Sequence, residues 1–225
     1  MERIGFGTLS YDLAHLLGVV VMLLSFALLS QRRIPALINT YALQSWTLAA
    51  AAAWQGATQH APHLFITAAV ALIAKGIVIP IALHGIVTRL RIERGIDTAL
   101  GIFQTMALGV LLVALAILVV LPTTTQSQAL TREDIATALS VVLLGLLMMI
   151  SRKTAITQVI GFMSLENGLI LAAVGVEGMP LVVELSVAVL VLVAFVVFGV
   201  FFFRIRAQFD SLDVQHLDRV GGAHR

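Results

Sequence analysis

Long apolar stretches separated by short polar ones make up most of this chain. The first runs from Leu13 to Leu29, and Arg32 and Arg33 follow it. A signal peptide carries its positive charges before the apolar stretch, so we interpret this segment as an uncleaved helix. Similar segments follow at 34–54, 62–88, 99–121, 131–150, 154–176 and 180–203. Because a spanning helix needs ~20 apolar residues, the pattern predicts an all-α integral membrane protein with about seven transmembrane helices.

The predicted helices divide the chain into three parts. Residues 1–122 form a four-helix membrane segment, residues 123–206 form a three-helix membrane segment, and residues 207–225 form a polar tail. The fifth helix is predicted to begin at Thr131, because Asp134 follows this hydroxyl by three residues as in a capping box.

Positive charge is distributed unequally between the two sides of these predicted helices. If the N-terminus is outside, 11 of the 14 lysines and arginines lie in the inner loops and the tail. Arg3 and Arg132 are then the outer ones, and Lys75 lies within a span. Because basic residues favour the cytoplasmic side, we expect the N-terminus outside and the C-terminus in the cytoplasm.

Composition excludes several classes of function. Hydrophobic residues make up 60% of the chain and charged residues only 12%, whereas globular proteins average roughly 25% charged residues. The net charge is +2, so we expect the lipid bilayer as a partner and no nucleic acid. The chain contains no cysteine, which excludes disulfides and cysteine-ligated iron–sulfur clusters. We predict no metal site, no cofactor and no catalytic residue.

Glu166 and Lys75 are the strongest candidates for function. Each lies inside an apolar segment, where a charge costs about 2.5 to 3.5 kcal/mol on insertion scales. Lys75 is 13 residues from Thr88 and Glu166 is 13 residues from Lys153, both at the predicted inner ends. At 1.5 Å per residue both lie roughly 20 Å from the inner surface. We therefore predict that they meet as a pair on a proton path, the alternative being a structural anchor between helices.

Two further titratable residues are weaker candidates for this path. Glu184 follows Pro180 by only four residues, so a solvated location fits it as well as a functional one. His84 is nine residues nearer the inner side than Lys75, which favours a place at the membrane interface.

Three residues are candidates for supporting roles: Tyr41, Gln44 and Pro80. Glutamines within membrane helices usually form hydrogen bonds between helices. Pro80 removes the helical hydrogen bond to the carbonyl of Gly76, so it predicts a kink close to Lys75.

The last three helices resemble the NuoK subunit family of respiratory complex I. The resemblance is carried by Ser151-Arg152-Lys153, by Leu165-Glu166-Asn167-Gly168 and by the tail sequence Ser211-Leu212-Asp213-Val214-Gln215-His216-Leu217. It implies that Glu166 corresponds to the mid-membrane glutamate on the family's hydrophilic axis. The family's second carboxylate would fall near Leu190, where no charge is present, and Glu184 is at best a displaced substitute. A partner for Glu166 from the third helix is therefore expected.

The preceding helices are similar to the longer HyfE family, the hydrogenase-4 component E of formate hydrogenlyase-type complexes. The matching residues are Tyr41-Ala42-Leu43-Gln44-Ser45 and Lys75 followed by Ile79-Pro80. This resemblance implies a non-catalytic subunit in the membrane arm of an energy-converting oxidoreductase complex in a bacterial inner membrane. Its partners would be antiporter-like and NuoH-like chains and, through them, a peripheral redox module.

Two other hypotheses remain open from the sequence. The small MrpC-like subunit of multisubunit cation/proton antiporters shares the three-helix unit, although four additional helices precede it here. A passive spacer that seals a membrane arm would need neither Glu166 nor Lys75 for function.

Overall fold

The fold is known from a computed structural model that describes residues 3–89, 96, 100–123 and 129–175. Over these residues the chain is almost entirely helical and has no β-strand. The helices are α1 (Arg3–Ser30), α2 (Ile34–Thr58), α3 (Pro62–Val70), a π-helical segment (Ala71–Val78), α4 (Ile79–Arg89), α5 (Ile102–Thr123), α6 (Ala129–Ser151) and α7 (Ala155–Gly175). All belong to the first of two units, Met1–Met179 and Pro180–Arg225, into which the chain divides. The predicted seventh helix at 180–203 and the tail at 207–225 lie outside the described residues.

Five helical stretches among the described residues are long and apolar enough to cross a membrane: Asp12–Ser30, Pro62–Thr88, Ile102–Val120, Asp134–Ser151 and Ala155–Gly175. They correspond to the first, third, fourth, fifth and sixth predicted segments. The predicted all-helical fold with several membrane-length helices is therefore confirmed. The number of seven and the outside position of the N-terminus stay predictions.

The second predicted segment is helical, but it is not among these five. Helix α2 has 25 residues, which is long enough for a span, yet polar side chains near its middle reduce its hydropathy. Its buried residues include Tyr41, Gln44 and Ser45. Helix α2 packs against α1, α3, the π-helical segment and α7. It thus carries polar groups into the interior of the bundle.

Helices α6 and α7 form a close antiparallel pair joined by residues 152–154. A Cβ atom at Gly145 would lie 2.5 Å from the backbone nitrogen of Leu165, and one at Gly168 would lie 2.8 Å from that of Val142. The two backbones therefore approach so closely that only glycine fits at these positions, as in many membrane helix pairs.

Because α6 begins at Ala129, the prediction that it begins at a Thr131 cap was wrong.

Two apolar clusters lie to one side of the buried polar residues of α2. The first contains Val21, Leu48, Ala138, Val141 and Leu171, and the second contains Ala52, Leu64, Ala68 and Val174. Leu48 and Ala52 follow Gln44 by one and two helical turns. These clusters therefore pack in successive layers beyond the polar level, toward the C-terminal end of α7.

The outer faces of the bundle expose large apolar side chains. Ile81 and Leu118 are each 67% exposed, and Phe103 is 83% exposed. Contiguous exposed apolar surface is rare on soluble monomers, whereas a helix that spans a bilayer needs it. The exposed faces of α5 and of the 62–89 stretch fit contact with lipid.

Candidate functional site

Lys75 and Glu166 meet inside the bundle. Nζ of Lys75, in the π-helical segment, lies 3.1 Å from Oε2 of Glu166, in the middle of α7. Only 1% of Lys75 and 4% of Glu166 is exposed. The prediction that these residues meet is confirmed, whereas their place on an ion path stays a prediction.

The ammonium of Lys75 has a second partner on α7. Nζ donates a hydrogen bond of 2.9 Å to Oδ1 of Asn167. Both carboxylate oxygens of Glu166 are buried, and neither accepts a hydrogen bond of good geometry from the residues that the structure describes. Lys75 and Glu166 are therefore close enough to form an ion pair. The hydrogen bond of good geometry from the ammonium goes to Asn167.

Asn167 connects this pair to a network of side chains on α1, α2 and α7. Its Nδ2 donates to Oε1 of Gln44 at 3.2 Å and to Oγ of Ser45 at 3.4 Å. Nε2 of Gln44 donates to Oγ of Ser25 at 2.8 Å and to Oγ of Ser164 at 3.0 Å. All five residues are buried. Separation of these helices would leave buried polar groups without partners, which is costly. The network therefore holds three helices together at one level.

The orientation of the two amides agrees with the ammonium of Lys75 at one end of the network and with the hydrogen bond from Ser25 to Val21 at the other. An ammonium can only donate, so Asn167 must present its oxygen and turn its nitrogen toward Gln44. Gln44 must then present its own oxygen and turn its nitrogen toward the two serines. Ser25 in turn donates to the carbonyl of Val21 at 3.0 Å. Each donor in this series therefore points away from the ammonium, and each acceptor points toward it.

Tyr41 is part of the same buried level. Its side chain is fully buried, and its phenol lies close to Ser45 and within the electrostatic influence of Glu166. Its hydroxyl makes no hydrogen bond of good geometry within the described part of the chain. Tyr41 and Gln44, predicted as supporting residues, are thus both beside the ion pair.

Lys75 projects from an unusual piece of helix. The π-helical segment Ala71–Val78 has eight residues and ends two residues before Pro80. Extended π-helix is rare and often occurs at functional sites. Because Pro80 has no backbone N–H, it leaves a carbonyl of the preceding turn without its helical donor. The sequence predicts a kink near Lys75 from Pro80. In the structure the helix changes there from α-helix to π-helix.

Trp46 supplies a donor to a backbone carbonyl of the π-helical segment. Its indole Nε1 lies 3.0 Å from the carbonyl oxygen of Gly76, to which it donates. A Cβ atom at Gly76 would collide with the indole ring, so glycine is required for this contact. We did not predict a role for Trp46; the position of Gly76 four residues before a proline was the available signal.

Among the described residues, His84 has no hydrogen bond to this network. Nδ1 of half-buried His84 is hydrogen-bonded to the carbonyl of Pro80, one turn back in its own helix, at 3.0 Å. Glu184 lies outside the described residues.

Comparison with known proteins adds one relative. Over 199 residues the chain is 26% identical to "Uncharacterized protein Rv0085" of Mycobacterium tuberculosis, a match that covers 88% of this chain and 90% of that protein. No family model and no solved structure matches the chain. The similarity thus extends over nearly the whole length of both proteins, and the relative's name states no activity.

Arg152 lies in the turn between α6 and α7, where the sequence predicts a loop, but its side chain is buried. It is 3% exposed, and its guanidinium donates to the carbonyls of Leu28 and Leu29 at 3.1 and 2.7 Å. These are carbonyls of the last turn of α1, where a cation is favourable. Burial lowers the pKa of Arg152, but an arginine remains charged at neutral pH. Arg152 therefore fastens the turn between α6 and α7 to the end of α1.

A contact between a histidine and an aspartate joins α1 and α6. Nδ1 of His15 lies 3.2 Å from Oδ1 of Asp134, and both side chains are partly exposed. The sequence predicts Asp134 in a helix cap, whereas here it contacts α1. The described residues contain no group of three or more histidine, cysteine, aspartate or glutamate side chains arranged to hold a metal ion.

The arrangement around Lys75 can hold or transfer a proton. An ammonium and a carboxylate in contact interconvert with a neutral amine and a carboxylic acid when one proton moves between them. In an environment of low dielectric the balance between these states responds to small changes in distance, hydration or nearby charge. A displacement of either helix would therefore shift the proton between the two side chains, with no change in their summed charge.

Proposed function

We propose that this protein is a non-catalytic membrane-arm subunit of an energy-converting hydrogenase or formate hydrogenlyase-type complex related to complex I, in a bacterial cytoplasmic membrane. It contributes the Lys75–Glu166 pair to the hydrophilic path along which such an arm moves protons. Antiporter-like and NuoH-like chains are its neighbours in the membrane, and a peripheral redox module drives the movement.

The observation that carries the proposal is the buried contact between Lys75 and Glu166. Ionisable residues inside membrane-length helices are rare, face the bundle interior and usually mark ion paths. Here the pair is surrounded by the aligned hydrogen bonds of Asn167 and Gln44, which retain the ammonium in contact with α7. The site has a group that can accept a proton and a group that can donate one.

Lys75 and Glu166 lie in different parts of the chain, which favours a long, HyfE-like chain over a three-helix antiporter subunit. Glu166 belongs to the segment that resembles NuoK, whereas Lys75 belongs to the preceding segment. A chain that lacked the preceding helices would leave Glu166 without this cation. The extra helices are therefore part of the proposed site.

Glu166→Gln tests the proposal because it keeps the shape of the side chain and removes its charge. In inverted membrane vesicles that contain the whole complex, we expect this variant to assemble and to retain redox turnover. The rate of proton translocation should fall by about tenfold or more, which corresponds to a rise of ~1.4 kcal/mol in its barrier. Asp12→Asn, which removes an exposed carboxylate of α1, is the matched control and should pump at the wild-type rate.

The proposal fails if Glu166→Gln translocates protons like the wild type. It also fails if the purified chain brings with it only large antiporter subunits and no hydrogenase or dehydrogenase chain, since those companions would indicate the antiporter class.

A further inference from the structure

The ammonium of Lys75 lies between two oxygens that come from consecutive residues of α7. Its nitrogen is 3.1 Å from Oε2 of Glu166 and 2.9 Å from Oδ1 of Asn167. A carboxylate and an amide carbonyl are the oxygen ligands that hard cations prefer. The nitrogen of Lys75 therefore occupies a position whose surroundings suit a small monovalent cation.

The oxygen of Asn167 is held in place by groups other than Lys75. Nδ2 of Asn167 donates to Gln44, and Nε2 of Gln44 donates to Ser25 and Ser164. None of these partners belongs to the π-helical segment. The same amide orientation would therefore persist if the side chain of Lys75 were shortened, and the oxygen would still face the cation position.

Two more buried oxygens lie at this level without a hydrogen bond of good geometry from the described residues. They are Oε1 of Glu166 and the hydroxyl of Tyr41. A buried polar atom without a partner is costly. Both atoms have free lone pairs with which to bind a cation, directly or through a water molecule.

We propose that Glu166, Asn167 and Tyr41 form a monovalent-cation site that the chain fills with its own Lys75. The wild-type protein thereby excludes Na⁺, since two positive charges at one buried position repel each other strongly. This inference deepens the proposed function by giving a physical reason why the ion is a proton, because a site filled by an ammonium can exchange a proton but cannot take up Na⁺. Only that conclusion about the ion rests on the proposed function; the cation site does not.

The test is the thermal stability of the purified full-length chain in sodium chloride and in choline chloride at equal ionic strength. The wild type should unfold at the same temperature in both salts. Lys75→Ala opens the position and removes the cation that compensates Glu166, so Na⁺ should stabilise it in a saturable manner. At a sodium concentration ten times Kd, we expect the Tm to rise by roughly 3 to 6 °C.

Two control variants separate a specific site from a general effect of salt. Lys75→Met removes the ammonium but fills the space, so sodium should not shift its Tm. The double variant Lys75→Ala/Glu166→Gln leaves the space but removes the negative charge, and it should be equally insensitive.

Three results would overturn the inference. The first is a wild-type protein that is more stable in sodium than in choline. The second is a Lys75→Ala protein with the same Tm in both salts. The third is a Lys75→Ala protein that fails to fold in sodium although Lys75→Met folds. None of these measurements involves translocation, so they stand or fall separately from the Glu166→Gln test.

Discussion

The indole N–H of Trp46 donates a hydrogen bond to the carbonyl of Gly76, one residue beyond Lys75, at 3.0 Å. Pro80, four residues after Gly76, has no N–H with which to satisfy that carbonyl. Helix α2 thereby supports the π-helical segment next to the ion pair, and it contributes Gln44 and Ser45 to the same level of the bundle. The position of Lys75 thus depends on α2 as well as on α7.

Trp46→Phe should destabilise the protein by about 1 to 3 kcal/mol, because a buried carbonyl loses its donor. The measurement is denaturant unfolding of the purified chain in detergent. If the restored N–H of a Pro80→Ala background bonds to the carbonyl of Gly76 in α-helical register, Trp46→Phe should cost less there. Equal costs in both backgrounds would show that the indole hydrogen bond is unrelated to the proline.

Gly76→Ala should lower the Tm, because its Cβ atom would collide with the indole of Trp46. We expect a loss of about 1 to 3 kcal/mol, as for overpacked cores. Gly85→Ala in α4 is the matched control, since a Cβ atom there meets nothing within 4 Å. It should be neutral or stabilise by about 0.5 to 1 kcal/mol. Thermal unfolding of both variants under identical conditions decides whether close approach or helix propensity dominates.

Lys75→Met and Glu166→Leu should each be strongly destabilising, by about 3 to 5 kcal/mol, because each leaves one buried charge uncompensated. The double variant should cost clearly less than the sum, since both charges are then gone. A double-mutant cycle of unfolding free energies measures this coupling. Additive costs would mean that the two side chains do not interact, and they would remove the basis of the proposed function.

Arg152→Gln should destabilise the protein by about 1 to 3 kcal/mol, because the last carbonyls of α1 lose a charged donor. Lys153→Gln removes the same charge from the adjacent, exposed residue and should change stability by less than about 0.5 kcal/mol. The Tm values of the two variants, measured by thermal unfolding under identical conditions, give the comparison. Equal effects would mean that the hydrogen bonds to Leu28 and Leu29 do not stabilise the fold and that only the charge of the loop matters.

Much of the helix pattern could be predicted from the sequence. A chain in lipid must satisfy its backbone hydrogen bonds within each segment, so a long apolar stretch predicts a helix directly. The predicted third segment at 62–88 and sixth segment at 154–176 agree closely with the observed helices. The depths of Lys75 and Glu166 followed from residue counts, because the rise per residue of a helix is constant.

Other features depended on how each helix is rotated about its axis and packed against its neighbours, which residue counts do not determine. Rotation of α2 turned Gln44, Ser45 and Tyr41 inward, although its polar residues made it the least membrane-like of the long helices. Packing of α2 against both α7 and the π-helical segment placed Asn167 between Lys75 and Gln44.

The sequence by itself determined that charged groups lie at one level of an apolar helical chain, since hydropathy and helix rise are local properties. Only the tertiary structure decided which atoms meet at that level. It gave Lys75 its hydrogen bond to Asn167, assigned Trp46 to the carbonyl of Gly76 and buried Arg152 against the end of α1. Each of these contacts joins residues far apart in the chain, and side-chain direction at a helix crossing arises from packing alone.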